Sequence, residues 1–137
     1  MSIPDITGAL ESRLGTWADE QGIPVAWNNI QFDPPATGIY LTSHDMPASP
    51  YSIDLGGTAV ISPGVYQVNV VVPAGSGRSE ARRIAALVAE LFPENAEILG
   101  EEFTIWITAP PAVFAGITDG VSYTVPVSIN YRVHTSQ

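Results

Sequence analysis

The sequence predicts an α+β fold: a two-layer sandwich in which two helices cover one face of a mostly antiparallel mixed sheet, with protruding loops or a hairpin. Two segments carry apolar residues at helical spacing, and several others alternate apolar and polar residues with a period of two. Each long alternating segment therefore has one apolar and one mostly polar face. Such a sheet needs cover on one side only, and two amphipathic helices can provide it.

The two helices are predicted from stripes of apolar residues. The first covers Asp5 to about Gln21 and has the stripe Ile6, Leu10, Leu14 and Trp17. Asp5 or Thr7 is expected to cap it, and Gly22 to end it. The second covers 79–92, with Pro93 as its stop and the stripe Ile84, Leu87, Val88 and Leu91.

Strands are predicted at 25–32, 39–43, 64–72, 101–108 and 121–133. The last is the most regular, since its apolar residues all fall on odd positions: Val121, Tyr123, Val125, Val127, Ile129, Tyr131 and Val133. Pro126 cannot donate to a ladder, so its strand is expected to lie at an edge there or to carry a bulge. The end after His134 looks disordered. Four acidic residues are interpreted as a solvated connection: Glu94, Glu97, Glu101 and Glu102.

The turn between the strand at 64–72 and the second helix contains Gly75 and Gly77. A strand, a glycine turn and a helix can cradle a phosphate, but this chain has no lysine for a Walker loop and lacks the third glycine of a dinucleotide fingerprint. The glycines are better explained by the turn itself, with Ser76 or Ser79 capping the helix.

Composition excludes several classes of protein. The 137 residues suit a single domain, 1–137, and the absence of cysteine excludes disulfides and thiol catalysis. A net charge of −9, with five arginines as the only basic side chains besides histidine, disfavours nucleic-acid binding. No signal peptide or membrane span is recognisable, so a soluble protein, cytoplasmic at synthesis, is expected.

The residues give no support for catalysis, and we predict no catalytic, cofactor-binding or metal site. His44 and His134 lack metal-ligand spacing, and Glu101 and Glu102 are adjacent, so on a strand they would point to opposite faces. No nucleophile elbow occurs.

Two long segments do not fit the core. His44–Pro63 is expected to be an extended loop or a protruding hairpin, and 109–120 carries apolar residues that a simple turn does not need. Such loops are often functional, although they can also fold back over the sheet. Trp106 falls on the polar sheet face, which indicates either a contact surface or a small cluster under a loop. The predicted interface residues are Trp106, Val113, Phe114, Ile117, Met46, Tyr51, Arg78 and Arg82. Arg78, Arg82 and Arg83 also suit a solvated helix face, where Glu80 and Arg83 can pair.

The order of motifs resembles the tail-terminator proteins of long-tailed bacteriophages, in particular the group related to the small minor tail protein of lambdoid phages. The matching features follow the chain: a first helix ending near Gly22, Pro24-Val-Ala-Trp-Asn-Asn29 with Phe32 and Pro34-Pro35, Tyr40-Leu41, Gly64-Val-Tyr-Gln-Val68, the turn at 73–77 with its helix to Leu91-Phe92-Pro93, and Val125-Pro-Val-Ser-Ile-Asn-Tyr-Arg132. The segments 46–62 and 109–120 match least.

This resemblance implies a structural virion protein that caps the tail tube as a hexameric ring, stops tube polymerisation and offers a surface to the head-side connector. The implied partners are other copies of the chain, the tail tube protein and a head-completion protein. No cofactor, membrane or specific nucleic-acid binding is implied, although DNA passes the ring. We expect a net acidic bore, since a basic one would hold phosphates. We also expect Trp106 or the 109–120 segment at a subunit or tube interface.

Two alternatives stay open. One is another neck or head-tail connector protein, and the other is a small ligand-binding module that uses the polar sheet face.

Overall fold

A computed structural model describes residues 6–27, 38–52, 59–75, 78–100 and 103–136 of the chain. It contains two helices, α1 (Ile6–Gln21) and α2 (Arg78–Glu90). α1 ends as predicted at Gly22, which has a φ of 70°. The Gly22 amide donates to the Asp19 carbonyl and the Ile23 amide to the Ala18 carbonyl, which is the Schellman pattern. α2 begins one residue earlier than predicted, so Ser79 lies inside it and does not cap it, while Ser76 is outside the described residues.

The nine described strands form one mixed sheet. They are β1 (Val25–Ala26), β2 (Tyr40–Pro47), β3 (Tyr51–Ser52), β4 (Ala59–Pro73), β5 (Glu97–Gly100), β6 (Phe103–Ile107), β7 (Ala112–Val113), β8 (Ile117–Asp119) and β9 (Ser122–Ser136). The main order is β1-β2-β4-β9-β6-β5, with β3 beside β4, and β7 and β8 beside β9. The β1–β2 pair is parallel and the other pairs are antiparallel. The predicted α+β fold is confirmed.

The sheet is built around one long ribbon. β4 and β9 each have 15 residues and pair along their whole length, from Ala59↔Ser136 to Pro73↔Ser122. At about 3.4 Å per residue the ribbon is about 50 Å long. β2 follows β4 as far as Pro47↔Gly64, and β3 continues along the same edge of β4. The described parts of the segment 44–63 therefore pair as a hairpin, which is one of the two sequence alternatives, and 53–58 lies outside the described residues.

The core lies between the two helices and one face of this sheet. From the helices it contains Leu10, Leu14, Ala18, Ala81, Ile84, Ala85 and Val88. From the ribbon it contains the alternating residues Tyr66, Val68, Val70, Val72, Tyr123, Val125, Val127, Ile129, Tyr131 and Val133. The Trp27 ring packs against Gly15 and so helps to hold α1 on the sheet.

A small polar network joins the hairpin to this core. The Asp45 carboxylate accepts one hydrogen bond of 2.6 Å from the Tyr131 hydroxyl and another of 2.6 Å from the Thr7 hydroxyl. The buried Ser43 hydroxyl lies 2.6 Å from that of Tyr66. Thr7 therefore ties α1 to β2 and does not cap its own helix, while Asp5 lies outside the described residues. Gly64 makes room for the Tyr131 ring, which an added Cβ would overlap.

Four sequence predictions about the strands need correction. β1 covers only Val25 and Ala26 of the predicted 25–32, and 28–32 lies outside the described residues. β2 extends four residues beyond Ser43, because it pairs with β4 along the hairpin. Glu97 belongs to β5 and is not part of a loop connection; β5 follows a turn in which Asn95 has a φ of 70°. The end of the chain is ordered in β9 as far as Ser136. Glu101 and Glu102 lie outside the described residues.

Pro126 lies in the interior of the sheet and not on an edge strand. β9 has β4 on one side and β6, β7 and β8 on the other. The Pro126 carbonyl accepts from the Phe114 amide on the second side, and the nitrogen of the same residue points that way too. The ladder on that side is interrupted between β7 and β8. Pro126 therefore lies at a local gap in the ladder. Its lack of an amide hydrogen is tolerated there, as it would be on the open side of an edge strand.

Candidate interaction surfaces

The segment 112–121 exposes several apolar side chains beside the start of β9. We call Val113, Phe114, Ile117 and Val121 the loop-end surface. Phe114 is 51% exposed, Ile117 61% and Val121 81%, while Val113 is exposed to a smaller extent. A cluster of exposed large apolar residues on a folded protein is typical of a contact with another protein. Sequence reasoning predicted three of these four residues and missed Val121, because its odd position placed it in the buried series of the last strand.

This surface is held in place by the sheet. β7 pairs with Val127 and Ser128, and β8 pairs with the three residues at the start of β9. Between them the Phe114 amide donates to the Pro126 carbonyl at 2.9 Å. Gly116 lies against the Tyr123 ring, where an added Cβ would overlap it. The segment therefore runs alongside β9 as two short strands and does not fold back over the sheet.

The start of α2 adds positive charge near the loop-end surface. The Arg78 guanidinium lies 5.9 Å from the centroid of the same Tyr123 ring. Arg82 is exposed and makes no hydrogen bond or ion pair with any part of the chain that the structure describes. Arg83 pairs with Glu80 at 2.7 Å, as the i,i+3 spacing predicted. This pairing raises the pKa of Arg83 and lowers that of Glu80.

The hairpin carries the second pair of predicted interface residues. Met46 lies near the end of β2 and Tyr51, which is 54% exposed, begins β3. Tyr51 pairs with Ile61, which pairs with His134 of β9, whereas Ile117 pairs with Thr124. Ten residues of β9 separate these positions, or about 33 Å at 3.3 Å per residue. Tyr51 and Ile117 therefore lie at opposite ends of the ribbon, whereas Met46 is level with Asn130 and Val113 with Val127, nearer its middle.

Trp106 lies on the open face of the sheet, as predicted, but it is only partly exposed. Its cross-strand neighbours are Glu97 and Arg132, and its ring centroid lies 6.4 Å from that of His134. Leu99 of β5 is on the same face and is 78% exposed. Sequence reasoning missed Leu99, since the strand that carries it was interpreted as an acidic connection.

A groove of about 640 Å³ lies between α1 and β5. One face of α1 forms a wall with residues at helical spacing: Ala9, Ser12, Arg13, Thr16, Trp17 and Glu20. The other wall contains Leu91 and the β5 residues Glu97, Ile98 and Leu99. Arg13 donates to the Leu91 carbonyl at 2.6 Å and lies 5.8 Å from the centroid of the Phe92 ring. We call this feature the α1–β5 groove. No local sequence pattern predicts it, because it requires α1 to lie beside β5 in the folded chain.

The described residues show little acid–base chemistry. No group of three His, Asp or Glu side chains within them is placed to hold a metal ion. Burial raises the pKa of Tyr66 and of Tyr131, and the hydrogen bond to Asp45 raises the latter further. Both hydroxyls serve the polar network that joins the hairpin to the core. Neither described helix is long and apolar enough to cross a membrane.

The protein is thus of the α+β class, with exposed apolar side chains on the loops and hairpin of a long sheet. The model of the family described as phage tail terminator protein matches residues 5–131, and the chain belongs to this family. It is accordingly a structural protein of the phage tail, and the suspected resemblance is confirmed.

A comparison with solved structures supports the fold independently. One solved chain is 38% identical in sequence and superposes with a TM-score of 0.80, over 93% of this chain and 92% of its own length. No curated protein matches the chain.

Proposed function

We propose that this protein caps the phage tail tube as a ring of copies, about six by resemblance, ends tube polymerisation and presents a surface for joining to the head. Family membership supports a tail role. The observation that carries the finer proposal is the placement of exposed apolar side chains at opposite ends of one rigid ribbon. A capping ring needs more than one surface on each subunit, because each copy contacts its neighbours in a heterologous way and the tube or the head-side protein as well.

The partners in this proposal are other copies of the chain, the tail tube protein and a head-side connector protein. The interface residues are those of the hairpin and the loop-end surface, with Trp106, Arg78 and Arg82. The protein acts without catalysis and without a cofactor, assembles in the host cytoplasm and does not bind specific DNA sequences. Its net charge of −9 suits a bore through which DNA must pass without adhering.

The structure gives weaker support to a ligand-binding module on the polar sheet face. The concave feature described above, the α1–β5 groove, opens beside the helix layer and the sheet edge. The exposed apolar residues lie on loops and edges. A protein partner can reach them there, whereas a small molecule would not be enclosed.

The test is assembly of purified tail tube protein with and without this chain, followed by negative-stain microscopy. The proposal expects tubes that stop growing and carry a ring-shaped density at one end. Tubes of unchanged length with bare ends would contradict it. Binding to a purified connector without binding to tube ends would instead assign the protein to the neck.

A further inference from the structure

The charges of α2 oppose the dipole of the helix. Arg78, Arg82 and Arg83 lie within its first six residues, and Glu90 is its last residue. The N-terminus of a helix favours negative charge and its C-terminus favours positive charge, so this arrangement is unfavourable for the isolated helix. Glu80 offsets it only in part, because it is bound to Arg83. Arg78 and Arg82 thus leave a positive rim beside the apolar loop-end surface.

The α1–β5 groove has the opposite character. Glu20 and Glu97 line it, and the exposed Glu90 and Glu94 flank the groove residue Leu91 in the chain. Its one arginine, Arg13, is directed onto the Leu91 carbonyl. The walls also contain partly exposed apolar side chains, and Leu99 lies beside them. The groove is therefore a concavity of mixed polarity, with apolar side chains on both walls and acidic residues at its rim.

The edge of the sheet at this groove is suited to contact with another chain. Among the described residues β5 is paired on one side only, with β6. The Ile107 amide donates to the Ala96 carbonyl, so by the alternation of an antiparallel ladder Ile98 faces β6. The backbone groups of Glu97 and Leu99 then point outward. Unpaired backbone groups at an edge strand favour association with a second chain.

We propose that the loop-end surface of one copy, with Arg78 and Arg82, docks into the α1–β5 groove of a second copy. The exposed apolar side chains of the loop-end surface meet the apolar side chains of the groove walls, and a basic rim meets an acidic one. Two copies of the same surface would oppose arginine to arginine or glutamate to glutamate, which disfavours a symmetric dimer. Ile117 is level with Thr124 of β9 and Glu97 is level with Arg132, eight residues further on, or about 26 Å at 3.3 Å per residue. Each copy can therefore engage two neighbours at once. This head-to-tail contact would be the contact between neighbouring subunits of the proposed ring. Its biological role therefore rests on the proposed function.

The absence of cysteine allows a direct cross-linking test in the full chain. Ser79 is exposed next to Arg78, and Ser12 is exposed in the groove wall, so Ser79→Cys and Ser12→Cys keep every charge. We expect an equimolar mixture of the two single variants, treated with a short bismaleimide, to form covalent dimers, alone or on tail tubes. Ser79→Cys mixed with the cysteine-free original chain is the matched control mixture and should give only background, because a cross-link there could join only two copies of the same surface.

Charge-reversal variants distinguish a specific contact from cross-links that form by random collision between copies. Arg82→Glu in the Ser79→Cys chain should lower the yield of cross-linked dimer about tenfold, and Glu97→Arg in the Ser12→Cys chain should restore it. Yields equal to the control mixture, both alone and on tubes, would overturn the proposal. So would a reversal that has no effect. Capped tubes without the cross-link would refute this contact and leave the capping role standing. The cross-link without capped tubes would support this contact and refute the capping role.

Discussion

The helix-covered face of the sheet and the loop-end surface use the same kinds of side chain in opposite ways. On the covered face Phe92, Val127 and Ile129 are completely buried. On the loop-end surface Phe114, Ile117 and Val121 are at least half exposed, although they are equally apolar. Burial of apolar area stabilises the fold, so the first set determines stability. The second set contributes little to stability, and its exposure is consistent with the proposed contacts to other proteins.

The largest expected effect comes from a Phe→Ala substitution on the covered face, which is compared with the same substitution on the loop-end surface. Phe92→Ala removes a ring that is fully buried and packs edge-on against Tyr66, with centroids 5.8 Å apart. We expect it to lower the free energy of unfolding by about 3–5 kcal/mol. Phe114→Ala should change it by less than about 0.5 kcal/mol. Urea unfolding followed by circular dichroism measures both, and equal losses would show that the two regions do not differ in this way.

A smaller effect is expected for the network that joins the hairpin to the core. Tyr131→Phe deletes the hydroxyl that donates to Asp45 and should cost about 2 kcal/mol, since a hydrogen bond to a charged group is lost. Tyr51→Phe makes the same chemical change at an exposed site of the hairpin and should be nearly neutral. The same urea titration measures the pair, and a neutral Tyr131→Phe would contradict a structural role for the network.

Gly116→Ala affects the place where the segment that carries the loop-end surface packs against the buried Tyr123 ring. The new methyl group would overlap the Tyr123 ring, so the segment must move away from β9, at a cost of about 1 kcal/mol. The clearest measurement is amide hydrogen exchange. The Phe114 amide, which donates to Pro126, should exchange faster, while amides of the β4–β9 ribbon should not change. Unchanged exchange at Phe114 would show that the ring does not hold the segment.

A further effect is expected at high pH. Burial raises the pKa of Tyr66 and Tyr131 in the folded protein above the ordinary value of 10.0. Because the folded-state pKa is raised, the stabilisation is fully present below pH 10 and is lost as the pH rises above it. The free energy of unfolding should therefore decline above pH 10. A Tyr66→Phe, Tyr131→Phe double variant should decline less steeply, and an identical decline would assign the effect to other groups.

The sequence predicted the covered face better than the contact surfaces. Period-two alternation in β9 and helical stripes at Leu10 and Ile84 follow directly from burial, so they identified the layers. β5 was missed because its four residues include the charged Glu97 and the glycine Gly100, which resemble a loop locally. Its strand conformation comes from pairing with β6, a tertiary effect that local propensity does not record. The α1–β5 groove depends in the same way on packing between distant segments.

The measurement that most directly tests the central claim combines folding and assembly in one variant. Phe114→Ser with Ile117→Ser removes the two central apolar side chains of the loop-end surface and leaves the core unchanged. Its urea midpoint and its effect on tail tube length are measured side by side with the original chain. We predict an unchanged midpoint and tubes that grow past the length at which the original protein stops them. Normal termination by a fully folded variant would contradict the account.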